Sequence, residues 1–173
     1  MKTRNATLGD IKEIQEIDKD YYDGSMTPIE ILKDWIKTFS EGFFVIEIKG
    51  EIVAYIFLEP INKFQPIDFI HFAKDVYKPN GRYVNISGLG VLNKYKGILD
   101  EKLMKLVEDF SKKRKCKQIL FIIGEAEGIG KHDTYERKLA GLSNFLKKEN
   151  VPKWKVADNY YVSDHWVWVK DVK

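Results

Sequence analysis

Between Tyr83 and Phe110 an apolar strand, a basic turn and an amphipathic helix follow one another with no linker between them. The strand closes on Leu89-Gly90-Val91, the turn reads Leu92-Asn93-Lys94-Tyr95-Lys96-Gly97-Ile98, and Leu99 enters the helix. Few architectures accept such a run. A strand that hands over to a helix through a glycine turn belongs to a sheet covered by helices. Leu99, Leu103, Leu106, Val107 and Phe110 recur at helical spacing, so one face of that helix packs on the sheet. Its first N–H groups lack intrahelical partners, and its dipole is positive at that end. With Lys94 and Lys96 alongside, the turn reads as a place to hold phosphate.

The flanking sequence supplies the rest of the sheet and its cover. Thr7-Leu8-Gly9-Asp10 is a helix start, a threonine cap with an acid three residues on, and Ile11, Ile14, Ile17 and Tyr21 follow at helical spacing. Thr27-Pro28 starts a second helix, with Ile29, Leu32, Trp35, Ile36 and Phe39 as its expected buried stripe and Gly42 as its end. Phe43 to Ile48 and Ile52 to Leu58 form a hairpin about Lys49-Gly50, closed by Pro60. From Asn62 to Gly81 the pattern is weaker. Phe69, Phe72, Val76 and Tyr77 line one face of a short helix after Pro66, and Pro79-Asn80-Gly81 is a turn. Gln118 to Ile123 is a buried strand and Gly124 to Gly130 a loop. His132 to Lys148 reads as a helix with Tyr135, Leu139, Leu142, Phe145 and Leu146 inward. Trp154 to about Tyr161 and His165 to Val169 are the final strands. This order predicts an α/β fold of the α+β kind, a central mixed and mostly antiparallel sheet flanked by helices, in one domain over residues 1–173.

Composition removes several classes of function. At 173 residues, 44% hydrophobic and 32% charged, the chain has an ordinary globular balance. A net charge of +3 is no nucleic-acid signature, and the lysines from Lys112 to Lys117 read first as a solvated helix end. Cys116 alone allows neither an intrachain disulfide nor a thiolate metal cluster. His71, His132 and His165 have no metal-ligand spacing, so no metal is expected, and each reads as a surface or strand residue. The N-terminus lacks the apolar core of a signal peptide and no apolar run is long enough for a bilayer; a cytoplasmic chain is expected. Trp154, Trp166 and Trp168 offer apolar area for core or for a homodimer contact.

The order of elements, with the glycine turn after the fourth strand, resembles the GNAT superfamily of acyl-CoA-dependent N-acetyltransferases over nearly the whole chain. Arg4-Asn5-Ala6-Thr7-Leu8-Gly9-Asp10 and the isoleucines after it are similar to the family's first strand and helix. Leu89-Gly90-Val91-Leu92-Asn93-Lys94-Tyr95-Lys96-Gly97 is similar to its fourth strand and pyrophosphate loop. Phe145 to Val151 falls where the family has an aromatic pair, a spacer and Gly-Phe, and Asp164 to Lys170 resembles its last strand. The family loop reads Gln or Arg, two residues, Gly, one residue, then Gly or Ala. Here Lys94 holds the first position, Gly97 the first glycine and Leu99 the second.

The resemblance implies transfer of an acetyl group from acetyl-CoA, as co-substrate, to a primary amine by direct attack on the thioester. Leu89, Gly90 and Val91 would pair their backbone with the pantetheine arm, and the Val91 N–H would stabilise the oxyanion. Lys94, Tyr95, Lys96, Gly97, Ile98 and Leu99 would surround the pyrophosphate, with Leu99 adding bulk and Asp100 a negative charge where phosphate should approach. The family often carries a glutamate base on its fourth strand. Asn85, Ser87 and Gly88 stand there instead, able to order a water but not to take its proton. The family's tyrosine proton donor aligns with Leu146, leaving Tyr135, Tyr160 and Tyr161 as substitutes by type. Asn85, Ser87 and Tyr135 are thus the catalytic candidates. The acceptor, small molecule or peptide, is left open; the segment from Asn62 to Gly81, with Phe64, Phe69, Phe72 and Tyr77, would give it a partly apolar wall. The alternative is a binding or regulatory module of the same fold with a degraded loop. Leu99 and the missing carboxylate favour it; Lys94, Lys96 and Gly97 oppose it.

Overall fold

Nine strands and five helices alternate along the chain in the computed structural model, which describes residues 1–64, 67–68, 70–124, 131–151, 154–157, 160–162 and 165–173. The strands are β1 (Lys2–Asn5), β2 (Phe43–Ile48), β3 (Glu51–Ile61), β4 (Tyr83–Val91), β5 (Gln118–Gly124), β6 (Leu146–Val151), β7 (Trp154–Ala157), β8 (Tyr160–Val162) and β9 (His165–Asp171). The helices are α1 (Ile11–Tyr21), α2 (Ile29–Phe39), α3 (Ala73–Val76), α4 (Asp100–Lys113) and α5 (Lys131–Leu142). Seven strands form one sheet in the order β1-β2-β3-β4-β5-β9-β6, and β7 and β8 form a separate hairpin. Every neighbouring pair is antiparallel except β4 and β5, which the helix α4 connects as a crossover. The expected mixed, mostly antiparallel sheet flanked by helices is therefore present.

The local chemistry accounts for most boundaries. Thr7 caps the turn into α1, and the Asp10 carboxylate reaches back to the Thr7 N–H at 2.7 Å while taking a bidentate grip from Arg4 at 2.7 and 2.8 Å. Lys49 and Gly50, at φ of 53° and 86°, make the tight turn from β2 to β3. The α2 face that meets the sheet is built on Trp35, which stacks on Phe57 at 4.7 Å and meets the Phe43 edge at 5.9 Å. Ile31, Leu32, Ile36 and Phe39 share that burial, but Ile29 stays exposed at the first turn, outside the stripe expected for it.

Three boundaries depart from the sequence expectations. β3 does not stop at Leu58 but continues to Ile61, with Pro60 paired to Val84 and its carbonyl accepting the Lys78 N–H at 2.9 Å. Proline is tolerated where a ladder does not use its missing N–H. α5 ends at Leu142, because Asn144 takes the left-handed conformation at φ 59° and the Phe145 N–H bonds back to the Ala140 carbonyl at 3.0 Å. Leu146 accordingly starts strand β6, and Leu142 and Leu146 are exposed rather than inward. The stretch from Trp154 to Tyr161 is a hairpin of two short strands, not one strand. Of the short helix expected after Pro66, only Ala73–Val76 forms among the described residues; Pro66 and Phe69 lie outside them. No helix among the described residues is long and apolar enough to cross a membrane.

Candidate active site

β4 and β5 run side by side only from Tyr83–Ile86 against Gln118–Phe121. Beyond Ile86, β4 pairs with β3 alone and the end of β5 with β9 alone, so the two parallel strands part. A bulge causes the parting. The β3–β4 register steps from Leu58↔Ile86 to Phe57↔Gly88, leaving Ser87 as the extra residue. Past the bulge, glycine is required twice by close packing. A Cβ on Gly88 would lie 2.8 Å from the Trp35 ring, and one on Gly90 would lie 2.3 Å from Tyr55 and 2.9 Å from Ile17. In the same stretch the Tyr22 hydroxyl donates to the Leu89 carbonyl at 2.7 Å.

From the end of β4 the chain enters the basic turn. Asp20 fixes its start, its carboxylate accepting the Asn93 N–H at 2.6 Å and the Asn93 amide at 2.9 Å. Gly97 takes φ 85°, a conformation that L side chains resist. Leu99 is fully buried in the core below the turn, so its bulk lies inside the fold rather than on the turn's outer surface. Ile98 is 69% exposed. Lys94 reaches Glu51 at 3.3 Å and lies over the Tyr95 ring, while the Lys96 ammonium sits 4.4 Å above the Tyr21 ring and 5.3 Å from that of Tyr135.

The turn is closed on itself. Lys96 N–H bonds the Asn93 carbonyl, and the Ile98 and Leu99 N–H groups bond the Tyr95 carbonyl, at 3.1–3.3 Å. The Gly97 N–H donates to the Asp100 carboxylate at 2.9 Å, and the Tyr135 hydroxyl donates to the same oxygen at 2.6 Å. Asp100 thus stands as an anion supplied by the chain itself. Burial and Asp100 together push the Tyr135 hydroxyl far above the usual phenol range, so it serves as a fixed donor. Nearby, the Tyr21 hydroxyl donates to Glu136 at 3.0 Å; burial first, and Asp133 second, raise the Glu136 carboxyl well above the carboxylate range.

A second polar cluster lies where β4 leaves β5. Glu59 on β3 faces Asn85 on β4 across the register and is fully buried. Its Oε2 accepts the Ser87 hydroxyl at 2.9 Å and faces His71 Nε2 at 2.8 Å. The Asn85 amide donates to Ser87 Oγ at 2.8 Å, and His71 Nδ1 lies 2.7 Å from the Asp68 carbonyl. The Trp35 indole holds the His71 carbonyl at 3.2 Å, tying this segment to α2. Two acceptors in the cluster, Glu59 Oε1 and Asn85 Oδ1, are buried without a hydrogen-bond partner among the described residues.

Sequence reasoning placed Asn85 and Ser87 side by side, and the structure joins them through a hydrogen bond. It missed Glu59 and His71. Ending the strand before Pro60 left Glu59 outside the sheet; the signal available was a lone carboxylate in the apolar run Ile52 to Ile61. His71, expected as a surface or strand residue, has a side chain only 8% exposed. Tyr135 lies at the basic turn rather than at the bulge, and Leu146, being on β6, is not a helical counterpart of the family tyrosine. The side chains of Tyr160 and Tyr161 lie outside the described residues. No cluster of metal ligands occurs among the described residues.

The parted strands and the helix N-terminus suit an extended, phosphorylated co-substrate such as CoA in outline. Two backbone groups that such a ligand could use, the Gly97 N–H and the Leu89 carbonyl, are held here by Asp100 and Tyr22. A sequence profile described as acetyltransferase (GNAT) family matches residues 10–140. No curated protein sequence matches the chain. Among solved structures, the GNAT-like decarboxylase GphF in complex with isobutyryl-CoA superposes with a TM-score of 0.79 at 13% identity, covering 100% of both chains. The loading GNATL domain of CurA from Lyngbya majuscula gives 0.78 at 11% identity, covering 99% of this chain and 97% of that one. The NatB acetyltransferase complex bound to CoA and MES gives 0.72 at 14% identity, covering 100% of both. At these identities the likeness is one of fold.

Proposed function

The chain belongs to the acetyltransferase (GNAT) family, and from that premise we propose that it moves an acetyl group from acetyl-CoA to a primary amine by direct attack. The observation that carries this reading is Glu59, a buried carboxylate at the point where β4 parts from β5. Acetyl-CoA, when bound, supplies a thioester whose carbonyl carbon is the electrophile. The chain supplies the rest. Leu89, Gly90 and Val91 present backbone along the parted strand, with the Val91 N–H as the oxyanion donor. Lys94, Tyr95, Lys96, Gly97 and Ile98 frame the pyrophosphate. Glu59 takes the proton of the attacking ammonium, and Ser87, itself held by the Asn85 amide, holds its carboxylate in place. Holding amine and thioester together accounts for much of the remaining acceleration. The acceptor is a small molecule or a peptide terminus, met by Phe72 and Tyr77, both half-buried against the core. Cys116, a buried free thiol, suits a reducing cytoplasmic setting.

Release of free CoA from acetyl-CoA, measured against a panel of primary amines and short peptides, tests the reading. Amine-dependent release is expected, with Glu59→Gln lowering kcat by roughly 10²–10³ and leaving KM for acetyl-CoA within about threefold. A second reading, a regulatory module that no longer turns over, is favoured by the turn closed on Asp100 and the Leu89 carbonyl held by Tyr22. Saturable stabilisation by CoA without any amine-dependent release would decide for it.

A further inference from the structure

The contacts of His71 have a consequence for proton movement that rests on the acyl-transfer reading. Both of its ring nitrogens face oxygen acceptors, Nδ1 the Asp68 carbonyl at 2.7 Å and Nε2 the Glu59 carboxylate at 2.8 Å. A backbone carbonyl cannot donate, so the neutral ring keeps its single proton on Nδ1 and turns a lone pair toward Glu59. Only when the pair gains one proton are both contacts hydrogen bonds. The pair is therefore built to receive a proton; the Asp68 carbonyl holds the ring in that orientation, and the Trp35 indole anchors the His71 backbone carbonyl. A second observation points the same way. Glu59 Oε1 and Asn85 Oδ1 sit on paired strand positions, both buried, both acceptors, and both without a partner among the described residues. Two unpartnered acceptors call for donors, which an approaching ammonium supplies.

The geometry assigns His71 as the proton outlet of Glu59, a positioning residue in a relay that runs from the acceptor amine to Glu59 and on to His71. The balance is simple. One N–H bond of the ammonium breaks, the Glu59 carboxylate gains that proton, and the carboxyl turns to give it up to His71 Nε2. The amine becomes neutral, His71 becomes an imidazolium between Glu59 and the Asp68 carbonyl, and no electrons change hands. Exchange with solvent resets the pair. The ionisable groups on the elements around the ring are Glu59 on β3, Asp34 on α2, Lys74 and Asp75 on α3, and Asp68 in its own segment; Glu59 meets the ring at hydrogen-bond distance. On β4, Asn85 and Ser87 do not titrate.

Two measurements on the full chain test this. Long-range proton–nitrogen correlation spectra of the 15N-labelled protein read the state of each His71 nitrogen across pH. Nδ1 is expected to stay protonated throughout while Nε2 titrates, and in Glu59→Gln the Nε2 titration moves at least one pH unit lower. A neutral ring protonated on Nε2, or a titration indifferent to Glu59→Gln, overturns the relay. In parallel, the pH profile of kcat/KM is measured for wild type and His71→Gln, whose amide retains a hydrogen bond to Glu59 but cannot pass a proton. The acid limb should coincide with the Nε2 titration, and His71→Gln should lower kcat at least tenfold, with KM for acetyl-CoA unchanged and that limb displaced. Full activity with an unchanged limb in His71→Gln reduces His71 to a structural strut. Coupled titration in a chain that transfers nothing sinks the acyl-transfer reading and the relay together, whereas transfer with uncoupled titration sinks the relay alone.

Discussion

Asp100 is the residue whose replacement should improve what the turn does. Its carboxylate takes the Gly97 N–H at 2.9 Å, a donor the proposed function gives to the pyrophosphate, and brings a negative charge to the same spot. A hydrogen bond to a charged group contributes about 1.5–3 kcal/mol, and a neutral one about 0.5–1.5. Asp100→Asn keeps a carbonyl oxygen for the Tyr135 hydroxyl and for Gly97, so the turn should remain folded. What it loses is the charge-assisted excess, about 1–1.5 kcal/mol, which a bound CoA no longer has to displace. CoA should then bind roughly five- to tenfold more tightly. Stability of the free protein should move the other way. Asp100 occupies the first turn of α4, where a negative charge is favourable by about 0.3–1 kcal/mol; added to the lost charge-assisted excess this makes about 1.3–2.5 kcal/mol, so the unliganded Tm should drop by roughly 3–10 °C. Titration calorimetry with CoA gives the affinity and a thermal melt the stability. Asp109→Asn is the control, since it removes the same charge from an exposed site on the same helix, where Asp109 pairs with Lys105 at 2.8 Å. If Asp100→Asn binds CoA no better than Asp109→Asn, the intramolecular cap does not oppose the ligand and the reasoning fails.

Two further outcomes follow from contacts away from the turn. The Arg4 guanidinium, assisted by the Thr7 N–H and hydroxyl, holds the Asp10 carboxyl down at about 2. Because the folded value lies below the unfolded one, the contribution is complete above about pH 4 and is lost as pH falls toward 2; urea midpoints should fall across that window, and Asp10→Asn should flatten the slope. Gly90→Ala would drive a Cβ to 2.3 Å from Tyr55, whose hydroxyl is bonded to buried Asp18, so a loss of about 2–3 kcal/mol is expected in denaturant unfolding; a variant as stable as wild type would mean that β4 yields at this point.

The parts of the fold legible from sequence were those written in local periodicity. α1, β2 and α4 announce themselves through caps, turns and apolar spacing, and each lies where those signals put it. The readings that failed depended on partners distant in sequence. Pro60 ends a strand in isolation, yet β4 alongside carries β3 through it, and with that one boundary Glu59 drops out of or enters the site. Asn144 ends α5 by a left-handed turn that the apolar spacing of Phe145 and Leu146 conceals. At the turn, Leu99 looked obstructive because its position was counted along the loop, whereas its side chain rotates under the helix into the core. Asp100 was recognised as a charge in the wrong place for a phosphate; that it grips Gly97 and Tyr135 is a matter of three-dimensional closure. The Glu59 and His71 pair joins a strand to an irregular segment, and no spacing rule links them.

The position of β9 between β5 and β6 bears on how the chain emerges from a ribosome. β5 pairs with β9 from Gln118 to Gly124, its first contact spanning 53 residues, and among the described residues β6 pairs with β9 alone. At roughly 5–20 residues per second, several seconds pass after β5 is made before β9 can reach it. Through that interval Ile119-Leu120-Phe121 has one bare hydrogen-bonding edge and Ile122-Ile123 two, the whole run apolar, uncharged and free of proline. A nascent chain paused before His165 therefore exposes a template on which a second copy can add a strand, and a chaperone that shields this one pentapeptide would raise the soluble yield more than one acting on the finished fold.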